Sequence, residues 1–132
     1  MKVVDASVVL TWLLRDPPPA EQRILDDHIS GQEPLVAPEL LHYEVANVLA
    51  TGARLPADAA RDAYAGFAAL EVETHSLGEP EYRDALELAC RRRITVYDAS
   101  YAALARALGV RLVTADRHLA RRLADLKIVE AV

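Results

Sequence analysis

Apolar residues along the chain follow two rhythms. Short apolar runs that end in a polar residue alternate with longer stretches in which apolar positions recur every three or four residues, the spacings of buried strands and amphipathic helices. Residues 2–5 predict a strand ending on an acid, Asp5, and residues 6–15 a helix halted at Asp16-Pro17-Pro18-Pro19. Residues 20–30 predict a second helix with Ile24, Leu25 and Ile29 on one face; Gly31-Gln32-Glu33 then turns into a strand at Leu35-Val36-Ala37. Pro38 suits the first turn of a helix over residues 39–51 that stops near Gly52. A helix from Leu55 to Ala68, a third strand over residues 70–74, and helices over 79–92 and 98–108 follow, the last stopped by Gly109. Residues 111–114 predict a fourth strand, 117–125 a last helix and 128–132 a closing strand.

Strands alternating with helices predict a mostly parallel sheet covered on both faces, a three-layer α/β/α domain. No repeat or linker divides the chain, so residues 1–132 are expected to form a single domain. In open sheets of this kind ligands bind beyond the carboxyl ends of the strands, where the strand order reverses.

Composition narrows the classes. With 52% hydrophobic and 27% charged residues the chain reads as globular, and its apolar runs are far below the ~20 residues of a membrane span. The N-terminus shows no signal-peptide pattern, and the lone Cys90 can form neither an internal disulfide nor a zinc site by itself, which points to a reducing cytoplasm. A net charge of -5 argues against general phosphate neutralisation, but not against a nuclease whose carboxylates hold cations.

Four acids then matter. Asp5 and Asp116 each end a strand and precede a helix, so each fits a helix N-cap as well as a ligand site. Asp98, read alone, is most simply a cap for the helix it opens. Glu44 is different. At ~100° per residue it falls within the apolar arc of Leu40, Leu41, Val45 and Val48, where a carboxylate is costly unless paired with an arginine or a cation. Four acids gathered at one sheet edge repel one another, and a divalent ion with a preference for oxygen ligands, Mg²⁺ or Mn²⁺, resolves that repulsion. Such a site suits phosphodiester hydrolysis.

Val3-Val4-Asp5-Ala6-Ser7, Glu44 with Val45-Ala46-Asn47, Tyr97-Asp98-Ala99-Ser100-Tyr101, and Leu112-Val113-Thr114-Ala115-Asp116 resemble, in order and over essentially the whole chain, the motifs of the PIN-domain family. More narrowly, the chain resembles VapC, the toxin half of VapBC toxin–antitoxin pairs. The resemblance implies a five-stranded parallel sheet in the order 3-2-1-4-5 and a Mg²⁺- or Mn²⁺-dependent endoribonuclease. It also implies a homodimer and inhibition by a VapB-like antitoxin. It assigns Asp5, Glu44, Asp98 and Asp116 as the acidic quartet, Thr114 as the hydroxyl supporting the last acid, and Ser7 as a neighbour of the first. In the mechanism this implies, Asp5, Asp98 and Asp116 hold metal while Glu44 completes the site or orients the attacking water.

The other candidates take plainer roles. Arg91, Arg92, Arg93, Arg117, Arg121 and Arg122 could guide RNA, although a solvated helix face is the simpler assignment. His28, His42, His75 and His118 lack close metal-ligand spacing and are expected at the surface. Trp12, Leu13 and Leu14 suit the core or a dimer contact, and Cys90 a small buried position. A response-regulator receiver would need a phosphoacceptor Asp after its third strand, where Thr74-His75-Ser76 stands, and a Lys after its fifth. A non-catalytic PIN module, a PIN nuclease outside toxin systems and a nuclease for structured DNA remain as alternatives, the last disfavoured by the lack of long insertions.

Overall fold

A computed structural model describes all of residues 1–132. Five parallel strands, β1 (Lys2–Val4), β2 (Leu35–Pro38), β3 (Glu73–His75), β4 (Arg111–Thr114) and β5 (Val129–Ala131), form one sheet in the order β3-β2-β1-β4-β5. This is the order implied by the family resemblance. The chain reverses direction of travel across the sheet at β1, which pairs Val3 with Val36 on one side and Val4 with Val113 on the other. Val3, Val4, Leu35, Val36, Ala37, Leu112 and Val113 are all buried, which explains why these strands read as continuous apolar runs rather than alternating ones.

The helices are α1 (Ala6–Leu14), α2 (Pro19–Ile29), α3 (Leu40–Asn47), α4 (Ala57–Ala68), α5 (Glu79–Arg92), α6 (Val96–Leu108) and α7 (Arg117–Arg122). Helix α6 lies against β1, β2 and β4 with α5 packed on its outside. It is buried without interruption from Ala99 to Ala105, and its alanines allow close approach to both neighbours. Gly109 ends it in the left-handed conformation, φ 67°, as its position at the end of the pattern predicts.

Several local expectations differ from the structure. The helix expected through residue 51 is α-helical only to Asn47 and continues as one π-helical segment, Val48–Gly52, with the Ala53 amide bonded to the Val48 carbonyl at 2.7 Å. Pro38 belongs to the end of β2, not to the next helix. The third strand begins three residues later than its apolar pattern suggests. Leu70 and Glu71 instead wrap the end of α4, their amides bonding to Phe67 and Ala68 carbonyls.

Cys90 is exposed, not buried. The inner face of α5 carries Ala85 and Leu88, and a residue two positions beyond Leu88 is turned by roughly 200° toward solvent. His28 and His42 are half-buried and bonded to other elements rather than lying free on the surface. His28 accepts a bond at Nδ1 from the Leu35 amide (3.1 Å) and has Nε2 2.7 Å from the Leu70 carbonyl, joining α2, β2 and the end of α4. His42 meets the Tyr64 hydroxyl at 2.8 Å and packs against Phe67. Trp12 packs on the core and donates from Nε1 to the Glu21 carbonyl at 3.1 Å, fastening α2 to α1.

Candidate active site at the carboxyl edge of the sheet

Asp5 follows β1 and caps α1, so both roles read from its position coexist in one side chain. Its Oδ1 accepts from the Ser7 amide (3.0 Å), the Ser7 hydroxyl and the Val8 amide (3.4 Å), while Oδ2 accepts from the Thr114 hydroxyl. Burial pushes its carboxyl up to about 6, and these bonds from Ser7, Thr114 and Val8 hold it back from rising further. Thr114 thus supports the first acid. It reaches the last only through the Asp116 amide, which donates to Thr114 Oγ1 at 3.0 Å. Ser7 also accepts from the Ala115 amide at 2.9 Å, tying the ends of β1 and β4 together.

Asp116 caps α7. One oxygen, Oδ1, accepts from the His118 and Leu119 amides at 2.8 and 3.0 Å, while Oδ2 has no protein partner. Asp98 departs from its expected capping role. Thr95 caps α6 instead, accepting from the Asp98 amide at 3.0 Å, and the helix begins at Val96. The Asp98 carboxyl is therefore released from capping. Its pKa is raised by burial and by the negative charge of Asp116, against the lowering influence of Thr95 and His118.

Glu44 turns inward from α3, as its place on the apolar arc predicts. Burial, reinforced by the charges of Asp98 and Asp5, pushes its carboxyl up to about 7, with the Tyr101 phenol pulling the other way. Glu44 Oε1 is buried and has no hydrogen-bond partner of normal geometry, and neither has the Tyr101 hydroxyl facing it. Burial first, then the charge of Glu44, drives the Tyr101 phenol far above its ordinary range, so it stays neutral. Tyr101 lies in the motif that carries Asp98, but the sequence assigned it no role. Only its alignment with Glu44 across the helix interface makes it part of the site.

Four carboxylates thus meet electrostatically at the β1/β4 edge. No lysine, arginine, histidine or N-terminal nitrogen comes within 4.0 Å of any of them, although nine such ion pairs occur elsewhere in the chain. The arginine that could have neutralised Glu44 is absent. An orphaned buried carboxylate oxygen within an all-oxygen donor set fits a hard divalent cation. No three acidic or histidine side chains close around a single point as a finished ligand cage. A cation at this edge would therefore be held partly through water, as Mg²⁺ commonly is.

A second fully buried acid, Glu21, belongs elsewhere. With Ser7, Thr11, Arg15 and Arg117 it lines a cleft beside α1, and its Oε2 also lacks a partner. The apolar periodicity of α2 gives no sign of its burial.

The chain is similar to known proteins in sequence and fold. The family model described as PIN domain matches residues 2–125. A ribonuclease, VapC3 of Pyrobaculum aerophilum, is 37% identical over 127 residues, covering 91% of this chain and 92% of its own. An exonuclease of the same organism, VapC9, is 37% identical over 98 residues, 71% of each chain. The crystal structure of PAE2754, also from Pyrobaculum aerophilum, superposes with a TM-score of 0.67 at 31% identity, covering 92% of this chain and 84% of that one.

Proposed function

The chain belongs to the PIN-domain family and is VapC-like within it, and from that premise we propose that it is a metal-dependent endoribonuclease hydrolysing RNA phosphodiester bonds. The observation that carries this reading is the cluster of Asp5, Glu44, Asp98 and Asp116 at the switch point of the sheet, without a neutralising side chain. Asp5, Asp98 and Asp116 would hold Mg²⁺ or Mn²⁺, directly or through water, and the bound ion would supply charge neutralisation at the attacked phosphate and a more acidic water.

The remaining chemistry belongs to the side chains. Asp5 is fixed by donors from Ser7, Val8 and Thr114, so its orientation is set before substrate arrives. The free Oδ2 of Asp116 and the uncapped carboxylate of Asp98 face a common charge field. Glu44, with its pKa near 7 and an unpartnered Oε1, is suited to accept a proton from the attacking water at that oxygen. Tyr101, neutral and buried, fixes the inner wall against which Glu44 rests.

The VapC resemblance supports a VapB-like antitoxin and a homodimer as partners, and a cytoplasmic setting; no helix is long and apolar enough to cross a membrane. The test is cleavage of a circular single-stranded RNA with Mg²⁺, Mn²⁺ or EDTA, beside Asp5→Asn. Circular RNA has no end, so opening it separates internal cutting from the exonuclease activity named for one relative. Asparagine caps helices as well as aspartate, so the variant is expected to fold. Metal-dependent opening that falls at least ~100-fold in the variant supports the reading, on the scale of losing one essential charge-stabilising group. A circle left intact by folded, antitoxin-free protein with either metal would overturn it.

A further inference from the structure

The chain carries net negative charge, yet five arginines collect in one place. Arg91 and Arg92 end α5, Arg93 is its left-handed cap, and Arg121 and Arg122 end α7. Together with Asp125 they line an open cleft of about 380 Å³ to which no apolar residue contributes. Arg92 is neutralised by Asp125 at 2.6 Å and Arg91 by Glu87, also at 2.6 Å. Arg93, Arg121 and Arg122 have no carboxylate within 4.0 Å.

Basic residues in the last turn of a helix complement its dipole, which accounts for each helix by itself. It does not account for two helices, distant in sequence, delivering their arginines to one cleft where like charges repel. Such a cleft is complementary to an anion with several charges. Guanidinium groups suit phosphate oxygens in particular, because their planar donors engage two oxygens at once.

Both walls are joined through the chain to elements that carry acids of the cluster. Arg93 stands two residues before Thr95, the cap of the helix that carries Asp98, and α7 starts immediately after Asp116. We propose that this arginine cleft binds the phosphates of the RNA strand that flank the scissile bond, a subsite that rests on the ribonuclease reading above. It gives an acidic protein a local means of holding a polyanion beside a cluster of carboxylates. The solvated-face reading suggested by the sequence treats these arginines as unrelated; their convergence from two elements argues otherwise.

The test measures the affinity of a labelled single-stranded RNA across a KCl series in EDTA, so that binding is read without turnover. The wild type is compared with Arg93→Gln/Arg121→Gln/Arg122→Gln and with a charge-matched control, Arg23→Gln/Arg61→Gln/Arg83→Gln, on other surfaces. Three lost phosphate contacts should flatten the slope of log affinity against log salt by about 2, while the control keeps the wild-type slope. Arg93→Gly provides a second variant. Position 93 has φ 54°, which glycine adopts without strain, so a weaker complex there cannot be ascribed to unfolding.

An unchanged slope in the triple variant, no RNA binding by the wild type at low salt, or tighter binding of polyglutamate than of RNA would each overturn the proposal, the last by assigning the cleft to an acidic protein partner. Cleavage that depends on Asp5 but not on these arginines would remove this subsite alone. Arginine-dependent binding by a protein that never cuts would remove only the nuclease reading.

Discussion

Asp5 and Glu44 show two ways of holding a carboxylate in the interior. Asp5 is surrounded by donors, and Thr114 supplies the one that reaches Oδ2. Replacing Thr114 by valine keeps the shape but removes that donor, together with the acceptor used by the Asp116 amide. The expected cost is about 1–3 kcal/mol of stability, read by urea unfolding. In the metal-free protein the Asp5 pKa should also climb above its present value near 6, read by a carboxyl-carbon NMR titration. Glu44 has the opposite environment, with an oxygen left unpartnered and the neutral Tyr101 opposite it. Tyr101→Phe deletes a buried hydroxyl that reaches Glu44 only with poor geometry, so stability should change little. Glu44 then loses the one influence that lowers its pKa, and a carboxyl-carbon NMR titration should find it above the present value near 7.

At the scale of elements, Thr95 decides what Asp98 is able to do. A two-residue shift in where α6 begins converts Asp98 from a cap into a first-turn acid with its carboxylate released. Thr95→Ala should cost about 1 kcal/mol in thermal or denaturant unfolding, the usual worth of a hydroxyl cap. Activity should fall further than that loss implies, because the start of α6 also fixes the Asp98 backbone; activity unchanged from wild type would show that Asp98 is positioned by other contacts. From the sequence Asp98 reads as the cap, whereas the structure uses Thr95. Local rules could not rank them, since both side chains can satisfy the same amides. The π-helical segment at Val48–Gly52 was equally hidden, because its periodicity differs from an α-helix over only one turn.

For the whole molecule, the raised carboxyls make stability depend on pH in an unusual direction. Asp5, Glu44 and Asp98 bind protons more tightly in the folded protein than in the unfolded chain. Their contribution is therefore fully present below ordinary carboxylate pKa values and is lost as pH rises through about 6 for Asp5 and about 7 for Glu44. For the buried Asp5 alone the loss is on the order of 3 kcal/mol. In EDTA, Tm should consequently fall between about pH 5 and about pH 8. Added Mn²⁺ should raise Tm more at the upper pH, since the ion binds ionised carboxylates and binding stabilises the folded state. A metal-free Tm that climbs over the same range would contradict the electrostatics of the site.

The order of elements, the covering of both sheet faces and the placement of acids at strand ends were all set by residues within a few positions of one another, which is why the apolar rhythm revealed them. Glu44 was legible for the same reason, through its angle on a single helix. Tertiary structure alone decided that Thr114 serves Asp5 across a separation of 109 residues, that Tyr101 closes over Glu44, and that the arginines of α5 and α7 share a cleft. Such partnerships depend on which strands become neighbours and how helices settle on them, and that is fixed by packing between segments far apart in the chain. The strand order itself was reached through family resemblance, because parallel strands separated by crossover helices leave no local mark of their neighbours.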